Sequence, residues 1–320
     1  MKNLLILSYS EDPHALALLS ELDSVGAKHF WLYTNEIPSK HEILLNSSSL
    51  EYTLMNNETK EKITLDPSWN IWNRRILKVD LPDTVPEGLA EIVNEETKRT
   101  LEGIMFSHNG KVVNDPRSNY RARNKLDQLK VAKNISLGVI IPATIVTNNP
   151  EEITSFYKRH NGKICFKLQK GAIVDLKGEK YTVMTNLVEE KHLENIESLR
   201  QCPHLFQEYI DKDYEVRATV VGNAVMGTAI HSQDSEISKI DYRRYDFNVK
   251  YEKIDLPKNV EEFCLSMNKH YGLDFGAFDF IISKKGEYVF LELNPNGQWL
   301  WLEQLGGPKI SKTLAEYLVS

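Results

Sequence analysis

Apolar and polar positions change period several times along this chain, and each change marks an element. Leu4-Leu5-Ile6-Leu7 is an unbroken apolar run, which predicts a strand over Asn3 to Ser8 covered on both faces. Helical periodicity over about His14 to Val25 and a second strand over His29 to Thr34 make the opening a βαβ start. Residues 42 to 80 read as β-rich and end in Trp69-Asn70-Ile71-Trp72-Asn73-Arg74-Arg75. A charged helix follows over roughly Pro86 to Ser107, with its proline in the first turn, where no hydrogen bond is lost. Asn114-Asp115-Pro116-Arg117 then breaks the pattern and sets a first boundary.

Arg117, Arg121, Lys125 and Leu129 recur at helical spacing, and Leu126, Val131 and Ile135 lead to Gly138 as a C-cap. Strands around Ala143 to Val146 and Lys163 to Gln169 bracket a helix begun by Asn149-Pro150-Glu151-Glu152, and strands resume at Lys180 to Thr185. Thr185 to Arg200, with Glu189, Glu190, Glu194 and Glu197, reads as an acidic helix with a solvated face. Leu205 to Ile210 opens a third region, and a hairpin follows in which Tyr214 to Val221 and Ala224 to Ser232 flank Gly222-Asn223. The chain thus divides into residues 1–115, 116–204 and 205–320 of an α/β protein.

Two cations in these strands have competing readings. Arg217 shares a strand face with Glu215 and Thr219, so it is either a surface ion pair, the commoner case, or a cation aimed at phosphate. Lys167 interrupts Ile164-Cys165-Phe166-Lys167-Leu168, and its position alone favours an edge strand slightly over a buried lysine with an anionic partner. Trp299 and Trp301 read as core.

The densest chemistry lies in Phe278 to Gly297, a hairpin with apolar residues alternating on both arms. A loop at Lys285-Gly286, or at Lys284 to Glu287, places Asp279 opposite Glu292, Phe278 opposite Leu293 and Phe280 opposite Leu291, with Asn294 beside Glu292. At a cross-strand distance of about 5 Å and an effective dielectric of ~20, two ionised carboxylates repel by roughly 3 kcal/mol. One good cross-strand pair contributes about 1 kcal/mol at most. A hard cation between the oxygens removes the conflict, and two carboxylates with an amide oxygen suit Mg²⁺ shared with phosphate oxygens. Neither GxxxxGK[ST] nor GxGxxG is present to offer another phosphate site.

Composition narrows the setting. With 320 residues, 41% hydrophobic and 26% charged, the chain suffices for two or three packed units. A net charge of −6 argues against a nucleic-acid-binding surface, and no apolar run approaches a membrane span. Cys165, Cys202 and Cys264 are widely spaced without a CxxC pair, which points to a reducing cytoplasm rather than to disulfides or zinc.

The order of a strand-borne lysine, a Glu-Tyr-Ile segment, an arginine-bearing hairpin and a final Asp…Glu-x-Asn hairpin resembles that of the ATP-grasp ligases. More closely, the chain resembles the ATP-grasp peptide macrocyclases that mature microviridin-like peptides, the graspetides. That likeness rests on Trp72-Asn73-Arg74-Arg75, Asn114-Asp115-Pro116-Arg117, Asn124-Lys125-Leu126-Asp127-Gln128-Leu129-Lys130, Asp213-Tyr214-Glu215-Val216-Arg217, Asp241-Tyr242-Arg243-Arg244 and Leu291-Glu292-Leu293-Asn294-Pro295-Asn296-Gly297-Gln298-Trp299. It implies an ATP-grasp fold: an N-terminal pre-ATP-grasp domain, then central and C-terminal subdomains that clamp ATP.

The same likeness assigns roles. Lys125 and Lys167 match the lysines that approach the ATP phosphates, Glu208 and Ile210 the adenine hinge, and Asp213 a ribose contact for which Glu215 is the alternative. Asp279, Glu292 and Asn294 match Mg²⁺ ligands, Arg217 the arginine at the γ-phosphate and acyl phosphate, and Arg243 a substrate-side arginine. Lys170-Gly171-Ala172 offers only one glycine where relatives carry a glycine-rich lid. The implied activity is phosphorylation of Asp or Glu side chains in a ribosomal precursor peptide, followed by ester or amide crosslinking to Thr, Ser or Lys. A leader docked near the Thr185 to Arg200 stretch and a homodimer belong to the same expectation. Rival readings are a RimK-like or glutathione-synthetase-like ligase for free amino acids, and a non-catalytic ATP-binding regulator.

Overall fold

A computed structural model describes residues 1–82, 85–171, 173–176, 178–244 and 249–320. The first unit is β1 (Asn3–Ser8), α1 (Pro13–Ser24), β2 (His29–Tyr33), β3 (His41–Asn46), β4 (Glu51–Asn56), β5 (Lys62–Leu65), β6 (Trp69–Asn73), α2 (Ala90–Ser107) and β7 (Val112–Val113). A parallel sheet of order β2-β1-β6-β7 forms its centre, and β3-β4-β5 make a separate antiparallel sheet. The run Leu4 to Leu7 is fully buried because alternate residues enter two different cores. Leu5 and Leu7 meet Leu101, Ile104 and Met105 of α2, while Leu4 and Ile6 meet Ala15, Leu18 and Leu22 of α1.

The helix predicted from Arg117 onward is two helices, α3 (Pro116–Ala122) and α4 (Lys125–Ile135). Each has its own N-cap: Asp115 Oδ1 accepts from Arg117 and Ser118 N–H, and Asn124 Oδ1 from Leu126 and Asp127 N–H. The C-cap of α4 is Ser136, ahead of the expected Gly138. The central unit continues with β8 (Thr144–Thr147), α5 (Pro150–Arg159), β9 (Ile164–Lys167), β10 (Ile173–Leu176), β11 (Glu179–Thr182), β12 (Asn186–Leu187), α6 (Glu190–Leu193) and β13 (His204–Glu208). The expected acidic helix is therefore only the single turn of α6, followed by a 3-10 stretch at Ile196–Gln201. Sheet order β12-β9-β13-β8 makes β9 an internal strand, so the edge reading of Lys167 does not hold.

The last unit contains β14 (Lys212–Val221), β15 (Ala224–Ile230), β16 (Tyr251–Ile254), α7 (Lys258–Tyr271), β17 (Phe275–Ser283), β18 (Tyr288–Asn294), α8 (Leu300–Gln304) and α9 (Ile310–Leu318). Its antiparallel sheet has the order β16-β15-β14-β17-β18. One face packs on Phe263, Cys264 and Met267 of α7 and Val131 of α4 through Val216, Ala218, Phe278, Phe280 and Leu293. The other face looks toward the central unit across a cleft. Helix α9 returns to the first unit, where Ile310, Leu314 and Leu318 share a core with α1. Trp299 is buried in that core, and Trp301 is half-buried at its margin. Among the described residues no helix is long and apolar enough to cross a membrane.

Register in the final hairpin differs from expectation in a way that preserves its chemistry. The loop has three residues, Lys284 to Gly286, with Gly286 at a φ of 79° and Ser283 N–H donating to Glu287 O. That offset pairs Phe280 with Phe290, not with Leu291. A bulge after Asp279 restores the count, so Asp279 still faces Glu292 and Phe278 still faces Leu293. Phe290 consequently fills the core, and Leu291 joins Glu292 on the cleft side.

His41, buried in the first unit, accepts the Tyr33 N–H at Nε2 and packs edge-on to Phe30 and Tyr33. Burial depresses its pKa from 6.5 to about 4. Between these values the unfolded chain binds a proton that the folded chain does not, so folding stability falls as pH drops from 6.5 toward 4. The loss from this residue amounts to about 3 kcal/mol at most. Denaturant melts across that window should show a shallower decline for His41→Gln; an unchanged slope would contradict the buried neutral imidazole.

Candidate active site

Alternation along β17 sends Asp279 to the cleft while its neighbours Phe278 and Phe280 enter the core. Glu292 and Asn294 arrive from β18, and the Asn294 amide donates to Asp279 Oδ2 at 3.2 Å and to Glu292 Oε1 at 3.3 Å. Helix α4 secures this strand through Gln128, whose side chain accepts the Leu293 N–H at 2.8 Å and donates to Leu293 O at 2.7 Å. The buried edge of β18 is thereby satisfied between the two polar residues that flank Leu293.

Each carboxylate has its own cation. Arg217 lies directly opposite Asp279 on β14, with Nε 2.9 Å from Oδ1. Lys125, the first residue of α4, places Nζ 2.7 Å from Glu292 Oε2 and donates to Leu168 O at 3.2 Å. The surface-pair reading of Arg217 with Glu215 does not hold, because Arg217 is buried and its partner is Asp279. Burial raises the Asp279 carboxyl, with Glu292 adding to the shift and Arg217 opposing it. Burial acts on Glu292 in the same sense, but Lys125 more than reverses it and holds that carboxyl below its ordinary range. For Arg217, Asp279 outweighs the cost of burial and keeps the guanidinium protonated. Its Nη1 is buried without a hydrogen-bond partner among the described residues.

Lys167 projects from β9 into the same cleft, where Nζ donates to Gln207 Oε1 at 2.6 Å and burial lowers its pKa. Glu208 and Ile210 line the same cleft. Glu208 N–H donates to Ala143 O, its Oε1 accepts the Ala143 N–H at 3.0 Å, and Tyr209 N–H donates to Lys163 O. These bonds fix the hinge segment and leave the Ile210 N–H without a partner among the described residues. Arg243 reaches the cleft from the opposite side in a two-pronged pair with Asp241, with Nε 2.8 Å from Oδ1. The cleft lies between the two sheets and is open to solvent at its mouth.

Asp213 is the residue that does not join the others. It lies on the exposed side of β14, paired with Lys284 at 3.0 Å, while its neighbours Lys212 and Glu215 face the cleft. A bulge between Lys212 and Tyr214 produces that switch. Of the expected lid, Gly171 lines the cleft and Ala172 lies outside the described residues.

Several cleft residues had been given no role from sequence. The Tyr242 hydroxyl accepts from Arg217 Nη2 at 2.7 Å and donates to Asp279 Oδ1 at 3.2 Å, and its ring stacks on Trp301. Its signal was adjacency to Arg243 in Asp241-Tyr242-Arg243-Arg244. Lys212, another such residue, forms a buried ion pair with Glu215, the expected alternative to Asp213, and also donates to Ile240 O at 3.1 Å. Only the three-dimensional pairing reveals Gln207, which links Lys167 to Thr144.

The donor set fits a magnesium nucleotide. Among the described residues no cluster of three or more His, Cys, Asp and Glu stands ready for a metal. Two carboxylates and a carboxamide form an incomplete hard-oxygen set, of the kind completed by phosphate oxygens. The Arg217 guanidinium, paired with Asp279, and the Lys167 ammonium in the same cleft would meet the added negative charge.

Comparison with known proteins bears on this geometry. The MvdD pre-ATP grasp domain model matches residues 3–121, and the RimK-like ATP-grasp domain model matches residues 122–318. The two matches meet at the end of α3. The macrocyclase MdnC of Microcystis aeruginosa MRC, solved bound with precursor peptide MdnA, is 30% identical with a TM-score of 0.87, covering 99% of both chains. A RiPP-associated ATP-grasp ligase of Chryseobacterium gregarium, solved with ADP and a leader and core peptide, is 32% identical with a TM-score of 0.91, covering 99% of this chain and 96% of that one. Human N-acetylaspartylglutamate synthase A is 24% identical over 136 residues, 41% of this chain. That match spans only about a third of the curated relative, 34% of its length.

Lys212→Met should strand the Glu215 carboxylate, which burial already pushes upward, and cost about 3–5 kcal/mol of stability. Adding Glu215→Gln should restore most of that loss. Chemical denaturation of the single and double variants measures both, and an unchanged single variant would contradict the buried pair.

Proposed function

We propose, since this chain belongs to the RimK-like ATP-grasp family, that it is an ADP-forming carboxylate ligase whose substrate is a ribosomally made precursor peptide with leader and core. The observation that carries this reading is the oxygen set Asp279, Glu292 and Asn294, gathered with Lys125, Lys167 and Arg217 at a cleft that the Glu208 to Ile210 hinge also lines. Full-length likeness to two peptide-bound enzymes supports a peptide over a free amino acid. The free thiols Cys165, Cys202 and Cys264 agree with a reducing cytoplasm. A homodimer and a microviridin-type substrate belong to the same proposal and rest on the family likeness.

Bound Mg²⁺ would be held by Asp279, Glu292 and Asn294, and it supplies Lewis-acid neutralisation of phosphate charge. In the first step a peptide Asp or Glu carboxylate oxygen attacks the γ-phosphorus of ATP, the bond to the β-phosphate oxygen breaks, and ADP leaves with an acyl phosphate in place. Lys125 and Lys167 orient the phosphates, and the Arg217 guanidinium meets the charge that spreads over the transferring group. In the second step a Thr or Ser hydroxyl, or a Lys amine, of the same peptide attacks the acyl carbon. Phosphate departs with the former carboxylate oxygen, and the nucleophile's proton goes to phosphate or solvent. Tethering both groups in one peptide supplies much of the rate through effective concentration. Arg243, half exposed along the cleft, would hold the peptide side.

Incubation with ATP, Mg²⁺ and a precursor peptide encoded beside the gene should yield ADP and phosphate, and the peptide should lose one water per ring. AMP and pyrophosphate would contradict the chemistry, and a mass gain from an added amino acid would favour the free-amino-acid ligase. Glu292→Gln keeps side-chain shape while removing a metal charge, so turnover should nearly vanish with the fold intact; undiminished activity would sink the metal assignment.

Arg217→Ala should slow crosslinking at least 100-fold while nucleotide affinity changes far less, as for a group acting mainly in the transition state. Arg217→Lys should rescue poorly, because a point charge cannot hold Asp279 and Tyr242 with one planar fork. Single-turnover crosslinking beside nucleotide titration decides this, and wild-type rates in Arg217→Ala would remove Arg217 from the chemistry.

A further inference from the structure

The loop after the carboxylate strand, Asn294-Pro295-Asn296-Gly297, is held by the N-terminal sheet. Arg74, just past β6, is 2% exposed, and its Nη1 donates to both the backbone and side-chain oxygens of Asn296 at 3.3 Å. The Asn296 amide donates back to Arg74 O. Arg74 Nε lies 3.2 Å from Asp12 Oδ2, which also accepts the Ser8 hydroxyl at 2.6 Å. Two residues beyond Asp12, His14 Nε2 accepts the Trp299 and Leu300 N–H groups at 3.1 and 3.3 Å. Both ends of the segment from Asn296 to Leu300 are thus tied to one corner of the first unit.

This loop has no slack against the site. A Cβ on Gly297 would lie 2.5 Å from Ala277 Cβ and 3.4 Å from Arg217 Nη1, so the loop backbone is pressed on β17 two residues from Asp279. Displacement of Asn296 would carry with it Asn294 and the wall behind Arg217. A buried ion pair such as Arg74 with Asp12 is weak evidence of stabilisation, because desolvation offsets its attraction. Its distinctive property is geometric: one planar fork meets Asp12 on one edge and Asn296 on another.

We infer that Arg74 is a positioning residue for the metal end of the site, holding the loop that orients Asn294 and backs Arg217. This rests on the proposed reading of Asp279, Glu292 and Asn294 as Mg²⁺ ligands. ADP binding to the full-length protein, measured by titration calorimetry with Mg²⁺ and again with EDTA, tests it without any peptide chemistry. Arg74→Lys and Asn296→Ala should each weaken ADP binding about tenfold in Mg²⁺, in line with other residues that orient metal ligands, and leave EDTA binding within about twofold. The double variant should be no more than about twofold worse than either single one, since both break one contact. Lys111→Ala removes a different tie between the first unit and the C-terminus, to Tyr317 O and the Ser320 hydroxyl, and should alter neither measurement. Equal weakening with and without Mg²⁺, or none at all, would overturn the positioning role. Wild-type ADP binding that is indifferent to Mg²⁺ would instead overturn the metal reading, and this inference with it.

Discussion

Two carboxylates held face to face across a β-ladder set the terms for the rest of this molecule. Asp279 and Glu292 are cross-strand partners. Left alone, they would repel by more than such a pair ordinarily contributes. The protein answers with one cation apiece, Arg217 from the neighbouring strand and Lys125 from the start of α4. Both cations come from elements whose other faces build the core under the same sheet, so charge balance and packing are settled together. The arrangement is poised rather than satisfied: among the described residues Arg217 Nη1 has no hydrogen-bond partner, and the three oxygen ligands are too few for a hard divalent cation without phosphate.

From that pair the architecture can be followed outward. Gln128 pins the strand between Glu292 and Asn294, and it lies on the helix that begins with Lys125. The central sheet contributes Lys167 and the hinge from across the cleft. The first unit, which among the described residues supplies none of the cleft lining, reaches the site through its hold on the loop from Asn296 to Leu300, while α9 returns to pack on α1. Catalysis in such a frame is chiefly positioning and electrostatic preorganisation.

Much of this was legible in the residues, and the failures have local causes. The facing of Asp279 and Glu292 could be read from alternation, although the loop length was wrong. Gly286 makes a three-residue turn, and a bulge at Leu291 cancels the shift, so two unread irregularities left the pair in register. The position of Lys167 alone favours an edge slightly, because a short strand does not announce its neighbours, and only the pairing of β9 with both β12 and β13 makes it internal. Asp213 and Glu215 were indistinguishable by spacing, since the bulge that turns one outward and the other into the cleft has no signature in Lys212-Asp213-Tyr214. Gln207 carries no signal in the sequence because its partners Lys167 and Thr144 are distant along the chain, while Tyr242 and Arg74 stand in motifs that do not themselves reveal their contacts.

The central claim is that a peptide carboxylate is activated by direct phosphorylation in this cleft. The most direct test is to label the Asp and Glu side-chain oxygens of a precursor peptide with ¹⁸O and follow the label through crosslinking. Transfer to inorganic phosphate of one labelled oxygen for each ring formed is the predicted result. Crosslinked peptide accompanied by unlabelled phosphate would contradict the account.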